Sequence, residues 1–404
     1  MQQKIELFKK ELSAELNSIL HYWMEYAIDE THGGFYGKID NDNAAAAYAC
    51  KGAVLNARIL WTFSAAYNQL KEKKYLNIAG RAFHYILDHF KDNNNGGVYW
   101  SVDEKGNVLE DRKQIYALAF TVYGMSEYYA ATQHKAALDF ALELYYLIEQ
   151  HSYDPVNKGY SEAFSKEWGS LNDLRLSDKD ANEKKTMNTH LHIIEAYTNL
   201  FKSWPDPLLK TKIEELLLLC DTYFINHATN HLRLFFDEQW NEKPVVISYG
   251  HDIEAAWLLQ QCAEISDAEK WINPFQAAAI AMTDAAIHGL ADDGGMWYEY
   301  VIDKKHLIKE KHWWVQAEAM IGFFNAWQLT NDEKYLNLSL NSWRFIQQHL
   351  LDKEKGEWFW GIEEDDQPMK GTDKVGLWKC PYHNSRACIE IIRRIEKQEE
   401  VKYR

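Results

Sequence analysis

Five times along the chain an acidic turn, a glycine and a short aromatic run occur in the same order. The copies read DETHGGFYGKIDNDN from Asp29, DNNNGGVYWSVDEKGN from Asp92, DPVNKGYSEAFSKEW from Asp154, DDGGMWYEYVIDKKH from Asp292 and DKEKGEWFWGIEEDDQ from Asp352. Each has the make-up of a small β-hairpin. Their glycines, Gly33, Gly96, Gly159, Gly294 and Gly356, are spaced by 63, 63, 135 and 62 residues. The long gap holds a degenerate sixth member, NHLRLFFDEQWNEK from Asn230. Six units of about 60 residues account for the chain.

Between hairpins the period is helical, and each interval holds two helices. AVLNARILWTFSAAYNQL is apolar on nearly every side, as an inner helix must be, whereas KYLNIAGRAFHYILDHF is amphipathic, as an outer helix must be. The inner type returns in YALAFTVYGMSEYYAAT, HLHIIEAYTNLF, DIEAAWLLQQCAEI, WVQAEAMIGFFNAWQL and SRACIEIIRRIE. The pattern predicts an all-α (α/α)6 barrel of twelve alternating outer and inner helices, with short hairpins at one end. No linker rich in Pro, Gly or Ser interrupts it, so residues 1–404 are expected to form a single catalytic domain. The hairpins and the starts of the inner helices should surround one mouth.

Composition narrows the function. A formal charge of −16 argues against nucleic acid or an anionic membrane as partner. The N-terminal MQQKIELFKKELSAELN is a charged amphipathic helix and not a secretion signal. Five cysteines at unrelated spacings suggest neither a disulfide framework nor a thiolate zinc site, and a reducing cytoplasm fits best. The 16 Trp and 24 Tyr supply either a large core or flat platforms for sugar rings.

The inner-helix starts carry an unusual polar set. Arg58, Tyr116, Asn188, His190 and His192 are followed by His251, Asp252 and Glu254, then by His312, Trp313, Trp314, Gln316 and Glu318, and finally by Trp378, Tyr382, His383 and Arg386. Three histidines at matching points of different repeats are hard to explain as packing alone. At about 100° per residue Asn188 and His192 share a face while His190 points away. The HxH pair therefore cannot share a metal, and no metal site is expected. His251 and Glu254, at i and i+3, could form a pair in which the carboxylate fixes the imidazole tautomer. His383 and Arg386 have the same spacing, and the arginine could hold an oxyanion. Arg58, in an otherwise apolar helix, must either pair with an acid such as Glu254 or bind substrate oxygens. Trp313, Trp314, Trp358, Trp360 and Trp378 are read as stacking platforms near the mouth.

MNTHLHIIEAY, SYGHDIEAAWLL, HWWVQAEAM, GEWFWG and GLWKCPYHNSRACIEI together make the chain resemble the N-acylglucosamine 2-epimerase superfamily, and within it the cellobiose 2-epimerase branch. The resemblance implies inversion of C2 in the reducing-end glucose of a β-1,4-linked disaccharide: cellobiose to glucosyl-mannose, lactose to epilactose. It implies no cofactor. By motif, His251 and His383 become the acid–base pair and His192 assists ring opening or moves protons between oxygens. Arg58, Tyr116 and Asn188 hold the open-chain oxygens, Glu254 orients His251, and Trp314 and Trp378 shape the sugar subsites, with Trp313 and Trp360 beside them. The partner is then a small disaccharide, and the state in solution a monomer or weak homodimer.

The chemistry suits that set. Removing the proton beside an aldehyde and returning it to the other face of a planar enediolate needs two groups able to act as acid or base near neutrality, and histidine is one. Four rivals share features of this reading. An aldose–ketose isomerase or an N-acylglucosamine 2-epimerase would use the same scaffold. An inverting glycoside hydrolase would need two carboxylates, with Glu254, Asp252 and Glu318 available. A sugar-binding protein would need no flanking bases.

Overall fold

A computed structural model describes residues 1–243 and 246–402, with the side chains of 401 and 402 left aside. Its helices fall where the periodicity places them. Six inner helices are α2 (Ala53–Leu70), α4 (Ile115–Thr132), α6 (Met187–Ser203), α8 (Tyr249–Ile265), α10 (Trp313–Thr330) and α12 (Tyr382–Lys402). Six outer helices alternate with them: α1 (Gln2–Tyr26), α3 (Lys73–Tyr85), α5 (Lys135–Leu147), α7 (Pro207–Leu219), α9 (Glu269–Ala286) and α11 (Glu333–Phe345). Each inner helix packs on the next, and α12 returns to α2, which closes the ring. Burial explains the sorting. In α2 every residue from Ala53 to Ala66 is buried, whereas α3 buries only the stripe Tyr75, Ala79, Ala82, Phe83 and Tyr85. The fold is the expected (α/α)6 barrel.

The hairpins stitch the ring together at one end. The strand before each inner helix pairs with the hairpin that follows the next outer helix: Lys51–Gly52 with Ser101–Val102, Lys113–Gln114 with Ala163–Phe164, Lys185–Thr186 with Phe235–Phe236. Val246–Ser248 pairs with Glu299–Val301 and Lys311–His312 with Gly361–Ile362, and a single bridge from Ile39 to Val375 completes the circle. At the turn position of each hairpin the backbone is left-handed. The five glycines have φ between 76° and 89°, and the sixth place is taken by Asn230 at 60°. Asparagine tolerates that region better than most side chains, so the degenerate member is degenerate only in sequence.

A feature not foreseen from the sequence anchors these turns. Lys51, Lys113, Lys185 and Lys374 bury their ammonium groups on Asp29, Asp92, Asp154 and Asp352 at 2.7–2.9 Å, and Lys311 reaches Asp293. The same aspartates accept backbone N–H groups within their own turns, for example Asn94 and Asn95 on Asp92. Those bonds and the lysine outweigh the desolvation of the Asp92 carboxylate and hold its pKa well below the usual range. In the fourth repeat Asn226 and Ile247 take those two places, and the turn is tied to α8 instead by His231 on Asp252 at 2.7 Å. Among the described residues no helix is long and apolar enough to cross a membrane.

Candidate active site

The mouth opens into a cavity of about 520 Å³. Arg58, Tyr116, Asn188, His192, His251, Glu254, Trp313, Trp314, Trp360, Trp378 and His383 all line it, so eleven of the residues singled out from sequence meet at one place. They come from α2, α4, α6, α8, α10 and α12 and from the loops before α12. His190 does not join them. Its Nδ1 donates to the Thr186 carbonyl at 2.7 Å and its Nε2 accepts from the Tyr160 N–H at 2.9 Å. Burial pushes that ring down to about 3, which suits a permanently neutral bridge between backbone groups.

Three of the four cavity histidines are held through Nδ1, whereas His312 is held through Nε2 on Glu310. His192 is 2.8 Å from Glu195, His383 is 2.7 Å from Glu318, and His251 is 2.8 Å from the Ser248 hydroxyl. In each of these three rings Nε2 has no protein partner among the described residues. Held in this way the rings can present a lone pair to the cavity. Burial holds His251 down at about 4. Burial likewise keeps His383 well below its usual value, with Arg58 and Arg386 adding to the effect against the pull of Glu254. Both are neutral bases at neutral pH. His251 and His383 both pack against Trp314, with ring centres 4.8 and 5.7 Å from it, and the sum of those distances caps their separation.

Two expected pairings are corrected. Glu254 does not hold His251, whose Nδ1 lies on the Ser248 hydroxyl, and its Oε1 meets Arg386 at 2.5 Å. Nor does Arg386 face the cavity: it is 1% exposed and its guanidinium lies among Glu195, Glu254 and Glu318. Helical spacing put both partners within reach, but a neighbouring helix offered a stronger partner. The guanidinium fills the space among Glu254, Glu318 and His383, whose ligand atoms lie within 4.8 Å of one another and could otherwise suit a cation. Burial pushes Glu195 up, but Arg386 and His192 outweigh it and hold the carboxyl at about 2. Glu318 stays above its ordinary value because burial there outweighs Arg386.

Arg58 resolves the other way. Among the described residues it has no carboxylate partner. Its Nη2 donates to the Tyr116 hydroxyl at 2.8 Å, and the guanidinium lies 4.1 Å from the Phe120 ring centre. Its Nε, the Asn188 Oδ1 and the Trp313 Nε1 are buried without a partner among the described residues. Unpaired polar atoms in a cavity wall are costly unless a ligand satisfies them. Trp358 is corrected as well: it is fully buried, donates to Glu15 at 2.7 Å and belongs to the core. Tyr382 and Gln316 also turn away from the cavity, onto Glu195 and onto the Met296 backbone. Asp252 and Glu318, two of the three carboxylates a hydrolase could have used, serve His231 and the Arg386 network.

Some cavity residues escaped the sequence reading. The loop 174–181, with Glu183, covers one side, and Glu162, Tyr298 and Glu299 add to the wall, which His312, singled out from sequence, also joins. The loop had a signal in its length, since sixteen residues separate Trp168 from Lys185. Glu195 also had one, at i+3 from His192.

A closed ring of helices whose mouth gathers neutral imidazoles, an unpaired guanidinium and indole faces defines an (α/α)6-barrel enzyme of the acid–base type, shaped for a sugar. The N-acylglucosamine 2-epimerase (GlcNAc 2-epimerase) family matches residues 34–387, and the chain belongs to that family. It is 46% identical to the cellobiose 2-epimerase of Bacteroides fragilis over 96% of this chain and 99% of that one. It is 40% identical to the cellobiose 2-epimerase of Dictyoglomus turgidum over 97% of this chain and all of the other. Among solved structures, the cellobiose 2-epimerase of Bacillus thermoamylovorans superposes with a TM-score of 0.92 at 38% identity, covering 96% of this chain and 100% of that one.

Proposed function

We propose that this chain is a carbohydrate 2-epimerase that inverts C2 of the reducing-end glucose in β-1,4-linked disaccharides, turning cellobiose into glucosyl-mannose and lactose into epilactose. The observation that carries the reading is the pair His251 and His383. They are neutral in the free protein, fixed through Nδ1, set on different helices and packed against one shared indole in a single cavity. The ring of the bound sugar opens with His192 moving the proton between ring and hydroxyl oxygen. One imidazole Nε2 then takes the C2 proton while the C2–H electrons pass into the C1 carbonyl, giving a cis-enediolate. The other imidazole, which has taken up a proton from solvent in the open-chain complex, returns that proton to the opposite face of C2, and the first releases the proton it took back to solvent.

Arg58 and the Asn188 amide meet the developing oxygen charge, and no reorganisation is needed because they are already in place. Burial keeps the Tyr116 phenol protonated, so it can accept from Arg58 and donate onward to a sugar oxygen. Trp313, Trp314, Trp360 and Trp378 offer faces for the two sugar rings. The ring of twelve helices acts as one catalytic unit, because the residues used come from all six inner helices.

Cellobiose incubated with the protein in D2O and followed by NMR tests this. The expected result is a mannose-type reducing end carrying deuterium at C2. Free glucose would mark a hydrolase, and a ketose an isomerase.

A further inference from the structure

The two imidazoles proposed to flank C2 are not held alike. His383 donates to a carboxylate, Glu318, at 2.7 Å, and His192 likewise to Glu195 at 2.8 Å. His251 has only the hydroxyl of Ser248, at 2.8 Å. Ser248 is the N-cap residue of α8, with extended backbone at φ −107° and ψ 100°, and is 1% exposed. A serine there ordinarily caps the helix by accepting a backbone N–H from its first turn. At the equivalent place in the previous repeat Thr186 does so, accepting from the Thr189 N–H at 3.2 Å. Ser248 makes no such bond. The N-caps of α2, α4 and α10 are Gly52, Gln114 and His312, also without a side-chain cap bond, but α8 starts with a hydroxyl suited to capping, and that hydroxyl lies on the imidazole instead. Glu254, which the i+3 spacing offered for that task, is engaged by Arg386.

We infer that Ser248 is a positioning residue: its hydroxyl accepts from Nδ1–H of His251, fixing the tautomer that leaves Nε2 free to exchange a proton with C2. The inference rests on the acid–base reading of His251 given above. It makes the two bases unequal. An imidazolium at His383 is met by the Glu318 carboxylate, whereas one at His251 is met only by a hydroxyl dipole. Charge acts on His251 from Glu254 on its own helix, which favours the cation, and from His192 on α6, which disfavours it. When the pair carries a single proton, His383 is therefore the better placed to hold it, against Glu318, with His251 neutral.

Nitrogen-15 NMR of the histidine rings tests the tautomer in the free protein, with the His251 signals assigned by their loss in His251→Gln. The expected spectrum places the proton of neutral His251 on Nδ1, and Ser248→Ala shifts it toward Nε2. A wild-type spectrum with the proton on Nε2, or one unchanged by Ser248→Ala, overturns the inference whatever the substrate proves to be. Kinetics with cellobiose supply a second readout. Ser248→Gly keeps a residue tolerated at helix N-caps while removing the hydroxyl, and should lower kcat at least tenfold with KM within twofold. Ser248→Thr, which restores a hydroxyl, should recover most of it. If the glycine variant keeps full kcat while wild type epimerises, Ser248 does not position the base.

Discussion

The two faces of α6 differ by two residues and by their whole purpose. On one, His190 spends both ring nitrogens on backbone groups and joins the turn after α5 to its own helix start. On the other, His192 spends one nitrogen on Glu195 and keeps the second for the cavity. Both are buried and both precede the same apolar run, so burial does not separate structure from chemistry. The count of satisfied nitrogens does. The same contrast runs around the ring. The Lys–Asp pairs repeat nearly unchanged and build the mouth, whereas the residues facing the cavity change from repeat to repeat and supply the chemistry.

Breaking the cavity side should have the largest effect. His251→Ala and His383→Ala are each expected to lower the rate of epimerisation by about 10³-fold or more, in line with loss of a positioned acid–base group, while far-ultraviolet circular dichroism stays that of the wild type. A rate within tenfold of wild type in either variant would return that histidine to the structural side.

The layer behind the cavity comes next. Arg386→Met leaves Glu195, Glu254 and Glu318 buried together without their shared cation. Removing one partner from such a network costs about 3–5 kcal/mol, visible as a fall in the denaturant midpoint. An unchanged midpoint would mean the three carboxylates are already neutral.

His190 sharpens the comparison through pH. Its folded value of about 3 lies below the roughly 6.5 of an unfolded histidine. Between those values the unfolded chain binds the extra proton, so stability is full above about pH 6.5 and is lost as pH falls toward 3. His190→Gln should flatten that slope when urea midpoints at pH 7 and pH 4.5 are compared. An identical slope would remove His190 from the account. The smallest effect is expected at the rim: Trp378→Ala should raise KM for cellobiose about tenfold, the worth of one aromatic contact, with kcat within threefold.

Most of this arrangement was legible in the chain. Glycines at a fixed spacing can be read because a left-handed turn admits few residues, and the apolar girth of helices such as α2 marks them as inner. That histidines from distant repeats face one cavity follows from their shared place at inner-helix starts. The partners were not legible in the same way. Spacing of i and i+3 identified Glu254 for His251 and Arg386 for an oxyanion, yet Arg386 joined three carboxylates from α6, α8 and α10. Contacts along one helix can be counted from sequence, whereas competition between helices depends on how the ring closes. Ser248 was hidden for the related reason that a serine at a helix start looks like an ordinary cap.

The most direct measurement separates the two half-reactions. Each single-histidine variant is incubated in D2O with cellobiose and, separately, with glucosyl-mannose, and C2 exchange is followed by NMR. With one base on each face of C2, the variant that keeps His383 should exchange the C2 proton of one epimer and the variant that keeps His251 that of the other, neither giving net epimerisation. Exchange of the same epimer by both variants would contradict a pair of imidazoles standing on opposite sides of one carbon.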